Sequence, residues 1–255
     1  MVRHCLPLDC LAYVVVVVCS SAVPYSSVQA EPRAVVELFT SQGCSSCPAA
    51  DKLLGELAAD PTLVPISVPI DYWDYLGWKD TLADPRNTAR QKAYAYGRGD
   101  GQVYTPQMVV NGSVHALGSD KAAIEHAIAK SRNKGAMSLA PVTLALAGGQ
   151  LNVTVPDAKD SIKDGRSGGE VWLAALSKAA TIAIARGENK GRTITYHNVV
   201  RRWIKLGDWT GKANSWSVPL QTLKGDDIDE AAVLVQSGTA EKPKAMLGAA
   251  LAAIR

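Results

Sequence analysis

Cysteine is scarce in this chain, and most of the patterns that advertise a binding function are missing. There are five cysteines, and three of them, Cys5, Cys10 and Cys19, fall within the first thirty residues. No long Lys/Arg run marks a membrane-docking face. A formal net charge of +3 leaves no electrostatic footprint for nucleic acid. The one tight basic–aromatic spot, Arg201-Arg202-Trp203, reads as a solvated strand face. Walker spacing is absent, so Gly187-Glu188-Asn189-Lys190-Gly191 reads as a hairpin loop. Asp71, Asp74 and Asp80 lack the glycine turn and terminal Glu of an EF-hand loop. There is no second Cys-x-x-Cys to complete a four-ligand zinc site, and His115, His126 and His197 have no partner at ligand spacing. No resident metal or other cofactor is expected. Internal repeats are absent too.

The first thirty residues read as a targeting segment. Arg3 and His4 open it, Leu11–Val23 (LAYVVVVVCSSAV) supplies an apolar core, and Val28-Gln29-Ala30 offers the small residues a signal peptidase needs. That core is shorter than the roughly 18 residues required to span a bilayer; an uncleaved Val-rich anchor is the alternative. The expectation is cleavage after Ala30, a periplasmic or secreted product, and no stable membrane insertion afterwards. Removal takes Arg3 and Asp9 together, so the net charge stays at +3. It leaves Cys44 and Cys47 as the only cysteines. In an oxidising compartment such a pair is oxidised, or cycled by a partner protein.

What the chain does have is a Cys-Ser-Ser-Cys at a strand-to-helix junction. Ala34 to Leu57 reads AVVELFT-SQGCSSC-PAADKLLGEL. The near-continuous apolar stretch Ala34–Thr40 predicts a strand buried on both faces. Ala50, Leu53, Leu54 and Leu57 recur at helical spacing. Cys44 then falls at the predicted helix start, where unpaired N–H groups favour thiolate over thiol. Cys47, three residues on, faces inward and can resolve a mixed disulfide. A bond between them closes too small a loop to serve well as a staple.

Further along, Leu63–Ile70 predicts a second strand, with Pro65 and Pro69 pointing to an edge position or a bulge. Asp84-Pro85 opens a helix running to about Tyr96. Gln107–Val110 and Val114–Leu117 flank an Asn111-Gly112 hairpin turn, and Asp120–Ser131 predicts a last helix. If the first two strands are parallel through a right-handed crossover, the second leads into Asp71-Tyr72-Trp73-Asp74-Tyr75 beside Cys44. An antiparallel third strand would bring Thr105-Pro106 to the same corner. From Ala136 onward short β-rich runs take over: Pro141–Leu146, Leu151–Val155, Glu170–Leu176, Thr181–Ile184, Thr193–Lys205 and Ala232–Gln236. They predict a small sandwich or barrel, with a boundary near 133–135. Three units are therefore expected: 1–30, 31–134 and 135–255.

The β-α-β-α-β-β-α order, with Cys-x-x-Cys on the first helix and Thr-Pro before the third strand, resembles the thioredoxin fold over about Ala34 to Ser131. The stretches VELFTSQGCSSCPAADKLL, DYWDYLGWKD and VYTPQMVVNG are similar to the uncharacterised exported family designated domain of unknown function 1223. That likeness continues through GRTITYHNVVR. The expected fold class is thus an α/β thioredoxin-like domain followed by a mostly-β sandwich or barrel-like domain. The thioredoxin resemblance implies a cis Thr105–Pro106 peptide whose Thr105 backbone holds an extended substrate. It also implies an acidic group beneath Cys47, for which Glu37 is the candidate; a paired or exposed strand-end carboxylate is the other reading of Glu37. Gly43 stands where better-known relatives carry Trp, and the aromatic groups come from Tyr72 and Trp73 instead.

Three functions fit these residues. The leading one is exchange between Cys44–Cys47 and protein or small-molecule disulfides and dithiols, with a redox partner protein. A soft-metal carrier holding Cu(I) on two thiolates is the second. A non-catalytic binding module with a structural disulfide is the third.

Overall fold

Apolar side chains at almost every position build β1 (Ala34–Thr40) and β2 (Leu63–Pro69), and both strands are buried throughout. The structure, a computed structural model, describes residues 1–2, 32–131, 141–158, 168–225 and 227–255. The expected targeting segment and the boundary near 133–135 lie outside the described residues. Between β1 and β2 runs α1 (Pro48–Leu57), opened by Pro48 and burying Ala50, Leu53, Leu54 and Leu57. Helix α2 (Pro85–Arg98) is capped by Asp84, whose side chain accepts from the Arg86 N–H, and stops at left-handed Gly99. Strands β3 (Gln107–Val110) and β4 (Val114–Leu117) are joined by Asn111, Gly112 and Ser113, with Asn111 and Gly112 at φ 49° and 67°, the paired positive values of a type I′ turn. Helix α3 (Lys121–Ser131) follows.

The rest is strand-rich: β5 (Thr143–Ala147), β6 (Gln150–Val155), β7 (Gly169–Ala183), β8 (Thr193–Trp209), β9 (Asn214–Pro219), β10 (Glu230–Thr239) and β11 (Lys242–Ala253), with the short α4 (Leu220–Leu223) after β9. Eight strands form one mixed sheet in the order β11-β10-β7-β8-β2-β1-β3-β4, and β5-β6-β9 form a second. This overturns the expected class. The molecule is mostly β, 45% strand against 20% helix among the described residues, rather than a thioredoxin-like α/β domain followed by a β domain. The local elements 34–131 do form where the pattern puts them, but β2 does not end their sheet. Ser67 pairs in parallel with Val199 of β8, and the sheet runs on into the strand-rich part. Pro65 and Pro69 lack the N–H groups a full ladder needs, which suits a seam of one residue pair. Asn198 supplements that seam by donating Nδ2–H to the Pro65 carbonyl at 2.9 Å.

The core crosses the seam as well. One cluster unites Phe39, Val68 and Tyr94 with Leu176, Leu234 and Met246. On one face of β1, Val36 and Leu38 meet α1 and α3; on the other, Val35 and Phe39 lie with Tyr94 of α2. The small sheet covers β7, β10 and β11 through Leu151, Val153, Val171, Leu173 and Val233. Among the described residues no helix is long and apolar enough to cross a membrane.

A buried polar knot ties the two ends of the chain. Glu37 accepts from Arg90 Nε at 2.6 Å and from the Tyr94 hydroxyl at 2.5 Å. Arg90 also donates to Gln236 Oε1 of β10 at 3.0 Å and lies over the Trp203 ring at 4.8 Å. Glu37 is fully buried and the Arg90 side chain is 11% exposed, so removing one partner strands a charge in a low-dielectric interior. Glu37→Leu should therefore cost about 3–5 kcal/mol in urea unfolding. A loss under about 1 kcal/mol would place the pair among surface-like bridges.

Candidate functional site

The chain leaves β1 at Thr40 and makes two tight turns before α1. The Ser41 hydroxyl accepts from the Gly43 N–H at 3.1 Å, and the Cys44 and Cys47 N–H groups donate back to the Ser41 and Cys44 carbonyls. Cys44 and Cys47 form a disulfide with Cα atoms 5.4 Å apart. Cys47 is the N-cap of α1, so Cys44 sits one turn upstream of the helix instead of at its start. Its sulfur reaches the helix end through the bond to Cys47. Cys44 keeps 5% of its surface open and Cys47 none, while Ser45 and Ser46 between them are exposed. Both cysteines are buried, and Cys44 is the less enclosed of the two.

Three segments converge on this turn. A Cβ added to Gly43 would lie 3.2 Å from Trp73 Cβ, so the absence of a side chain at Gly43 lets the Tyr72-Trp73 segment close over the turn. Trp73 Nε1 donates to Thr105 Oγ1 at 2.7 Å, and the Thr105–Pro106 peptide is cis. Pro106 and Ala50 both border Gly118, at 3.0 and 3.3 Å from the position of its missing Cβ. Tyr72 packs beside Trp73 with ring centroids 5.7 Å apart. Cys44, Cys47, Tyr72, Trp73, Thr105 and Pro106 therefore belong to one corner. Glu37 does not: it shares the Val35 and Phe39 face of β1, away from α1, and is committed to Arg90 and Tyr94.

The buried acid near Cys47 is Asp51. One helical turn on from Cys47, its N–H donates to the Cys47 carbonyl at 3.0 Å, and neither carboxylate oxygen has a hydrogen-bond partner among the described residues. Burial pushes its pKa up to about 8; the charge of Asp80 adds to this and the nearby Thr40 hydroxyl opposes it. Asp80 is also raised by burial, but the N–H groups of Gln42 and Leu82 hold it back. Tyr196 of β8 is raised by burial and by both carboxylates. The i to i+4 spacing of Cys47 and Asp51 on a helix could have revealed this acid from sequence.

A fourth segment forms the hairpin loop that its glycines predict, but nothing local says where it docks. The β7–β8 hairpin loop, 184–192, reaches across to the disulfide turn. Asn189, 1% exposed, donates to the Gln42 and Cys44 carbonyls at 2.9 and 2.8 Å. Glu188 Oε2 accepts from the Ser45 N–H at 3.1 Å. Gln42 is locked in turn by Trp78 Nε1, which donates to its Oε1 at 2.7 Å. Among the described residues no group of three or more His, Cys, Asp or Glu converges as a metal centre would.

These features define a class: a mostly-β protein whose sheet delivers a hairpin onto a two-cysteine turn over an unpartnered carboxylate. The model for a family described as protein of unknown function (DUF1223) matches residues 35–236, and the chain belongs to that family. A crystal structure of a protein from Agrobacterium tumefaciens is similar at 31% identity, with a TM-score of 0.76, over 88% of this chain and 95% of that one. HBP35 of Porphyromonas gingivalis gives a TM-score of 0.56 at 15% identity, over 87% of this chain and 75% of that one; at that identity the likeness concerns fold alone. No curated protein matches.

Asp51 makes stability pH-dependent in a defined direction. Between its ordinary value of 3.8 and about 8, the folded protein holds a proton that the unfolded chain has released. Its contribution therefore worsens as pH rises through that interval. The Tm of Asp51→Asn should gain on wild type steadily from pH 5 to pH 8, by about 2–4 °C for each kcal/mol recovered. A pH-independent difference would mean that Asp51 is ionised in the fold.

Proposed function

We propose that this protein is an exported thiol–disulfide oxidoreductase acting on protein or small-molecule disulfides and dithiols. The observation that carries the reading is Asp51, a buried carboxylate one helical turn beyond Cys47 with no hydrogen-bond partner among the described residues. A structural disulfide has no use for such a group, whereas exchange requires a site that takes and returns a proton.

In the reduced protein the Cys44 thiolate attacks a substrate disulfide. A bond forms between Cys44 Sγ and one substrate sulfur, and the other substrate sulfur leaves as thiolate. Cys47 then gives its proton to the Asp51 carboxylate and attacks Cys44 Sγ. The Cys44–Cys47 bond forms, the second substrate sulfur leaves, and two electrons have passed from protein to substrate. Run backwards, the same steps oxidise a dithiol and draw the proton back from Asp51. The unequal burial of the two residues, Cys44 at 5% exposure and Cys47 at none, supports these roles. On this reading the backbone of half-buried Thr105, whose hydroxyl accepts from Trp73, would receive the backbone of the substrate.

Turnover of an aromatic disulfide should vanish in Cys44→Ser, and Cys47→Ser should accumulate a mixed disulfide visible by mass spectrometry. Asp51→Asn should slow turnover about 100-fold at neutral pH and remove the pH–rate inflection near 8. Full activity in Cys44→Ser overturns the assignment. So does a Cys44–Cys47 potential below about −300 mV, the range of inert structural bonds.

A further inference from the structure

Strand β8 is covered along only part of its length. Its pairing with β7 runs the whole hairpin, from Thr193 opposite Ala183 to Trp209 opposite Gly169. On its other side β2 touches it at Val199 alone, so Thr193–His197 has an open edge. The polarity of that edge follows from the hairpin. The Ile184 N–H donates to the Arg192 carbonyl, and antiparallel bonds alternate by two residues. Ile194 and Tyr196 thus face β7 with their N–H and C=O groups, and Thr193, Thr195 and His197 present theirs outward.

Outward means into a groove. Between this edge and α1 lies a cavity of about 620 Å³ lined by Pro48, Lys52, Glu56, Arg192, Thr195 and His197, among others. Pro48, which lines the groove, follows Cys47 directly, so that end of the groove lies next to the cysteine turn in the chain. The other end closes where α1 meets the strand: a Cβ on Gly55 would lie 2.6 Å from His197 Cδ2. Lys52 and Arg192 are exposed, and neither forms an ion pair among the described residues, in contrast to Arg33, Arg86, Arg90 and Arg98. Against these two cations and the His197 imidazole stands one acid, Glu56.

We infer that this groove binds an extended acidic segment of a polypeptide substrate, which adds a strand to the open edge of β8 and delivers its cysteines to Cys44. An unpaired strand edge supplies main-chain hydrogen bonds to any extended peptide. The cations select acidic side chains, and the closed end at His197 fixes how far the segment can run. Three residues of extended chain span about 10 Å, the stretch from Thr193 to just short of the closure at His197. The inference deepens the redox reading by naming its substrate class, yet the groove exists whether or not the cysteines turn over.

The test is fluorescence anisotropy on the full oxidised protein with a labelled, cysteine-free octapeptide of alternating glutamate and valine, which cannot undergo exchange. Saturable binding is expected. The double variant Lys52→Glu/Arg192→Glu should weaken it by about tenfold or more and should prefer the lysine–valine peptide. Thr195→Pro removes an outward N–H that takes no part in the β7 ladder, so the strand survives and affinity should fall about fivefold or more. Absence of binding, affinities unchanged in both variants, or equal competition by an oligonucleotide of matched charge overturns the groove assignment. Turnover of a small aromatic disulfide by the same preparation reports on Cys44–Cys47 alone, so the failure of one reading is not mistaken for failure of the other.

Discussion

The seam between β2 and β8 is the constraint from which the rest of the molecule follows. It consists of one parallel residue pair, Ser67 with Val199, and a side-chain bond from Asn198 to the Pro65 carbonyl. So slight a ladder holds because apolar burial spans it, with Val68, Val200, Leu176 and Leu234 in one cluster and each such side chain worth about 1.5–3 kcal/mol. Asn198 sits at φ 50°, a conformation Asn tolerates better than most residues, and that local geometry turns its amide toward β2. Joining the strands there, and nowhere further up, leaves the outer half of the β7–β8 ribbon free to pass beyond the sheet. It comes to rest against α1 and the disulfide turn.

The consequence is that residues remote in sequence govern the cysteine turn. Asn189 grips the turn by two carbonyl oxygens, not by sulfur, so its hold does not depend on whether the disulfide is closed. Beneath the turn, Asp51, Asp80 and Tyr196 share one desolvated region, and burial raises all three. Their acceptors differ. Asp80 is supplied with backbone N–H groups from Gln42 and Leu82 and is accounted for as a structural pin on the turn. Asp51 is supplied with none. Of the two carboxylates, Asp51 is therefore the one free to change protonation without undoing the turn.

Much of this was legible in the chain wherever the signal was local. Asp84-Pro85 and Asn111-Gly112 mark a helix start and a turn by their own backbone chemistry, and the gathering of Trp73 and Thr105 near Cys44 follows from strand direction, whereas the helix start expected at Cys44 falls at Pro48. Glu37 shows where such reasoning fails. Period two correctly groups it with Val35 and Phe39, but nothing in the strand says which face α1 will cover, and the acid was sought on the wrong one. Asp51 is readable from its helical spacing to Cys47. Strand β11, KPKAMLGAALAA, has an alanine-rich composition that favours helix over strand, and its pairing with β10 decides otherwise. The joining of both halves in the eight-stranded sheet is invisible for a deeper reason: the β2–β8 contact joins residues 132 positions apart through a seam that leaves no pattern in either strand.

Magnitudes bear on what the disulfide and the acid beside it contribute to stability. Closing a loop as small as Cys44–Cys47 limits the unfolded chain by only about 2 kcal/mol in the chain-entropy account. Keeping Asp51 neutral at pH 7, against an unfolded value of 3.8 and a folded value of about 8, costs on the order of 4 kcal/mol. The acid thus takes away more stability than the bond beside it can return. As a staple, the arrangement would defeat itself, since replacing Asp51 by an apolar residue of similar size would leave the same disulfide in a more stable protein. The proposed exchange reaction would account for both features, since a sulfur pair that opens and closes releases a proton that the carboxyl group could take up.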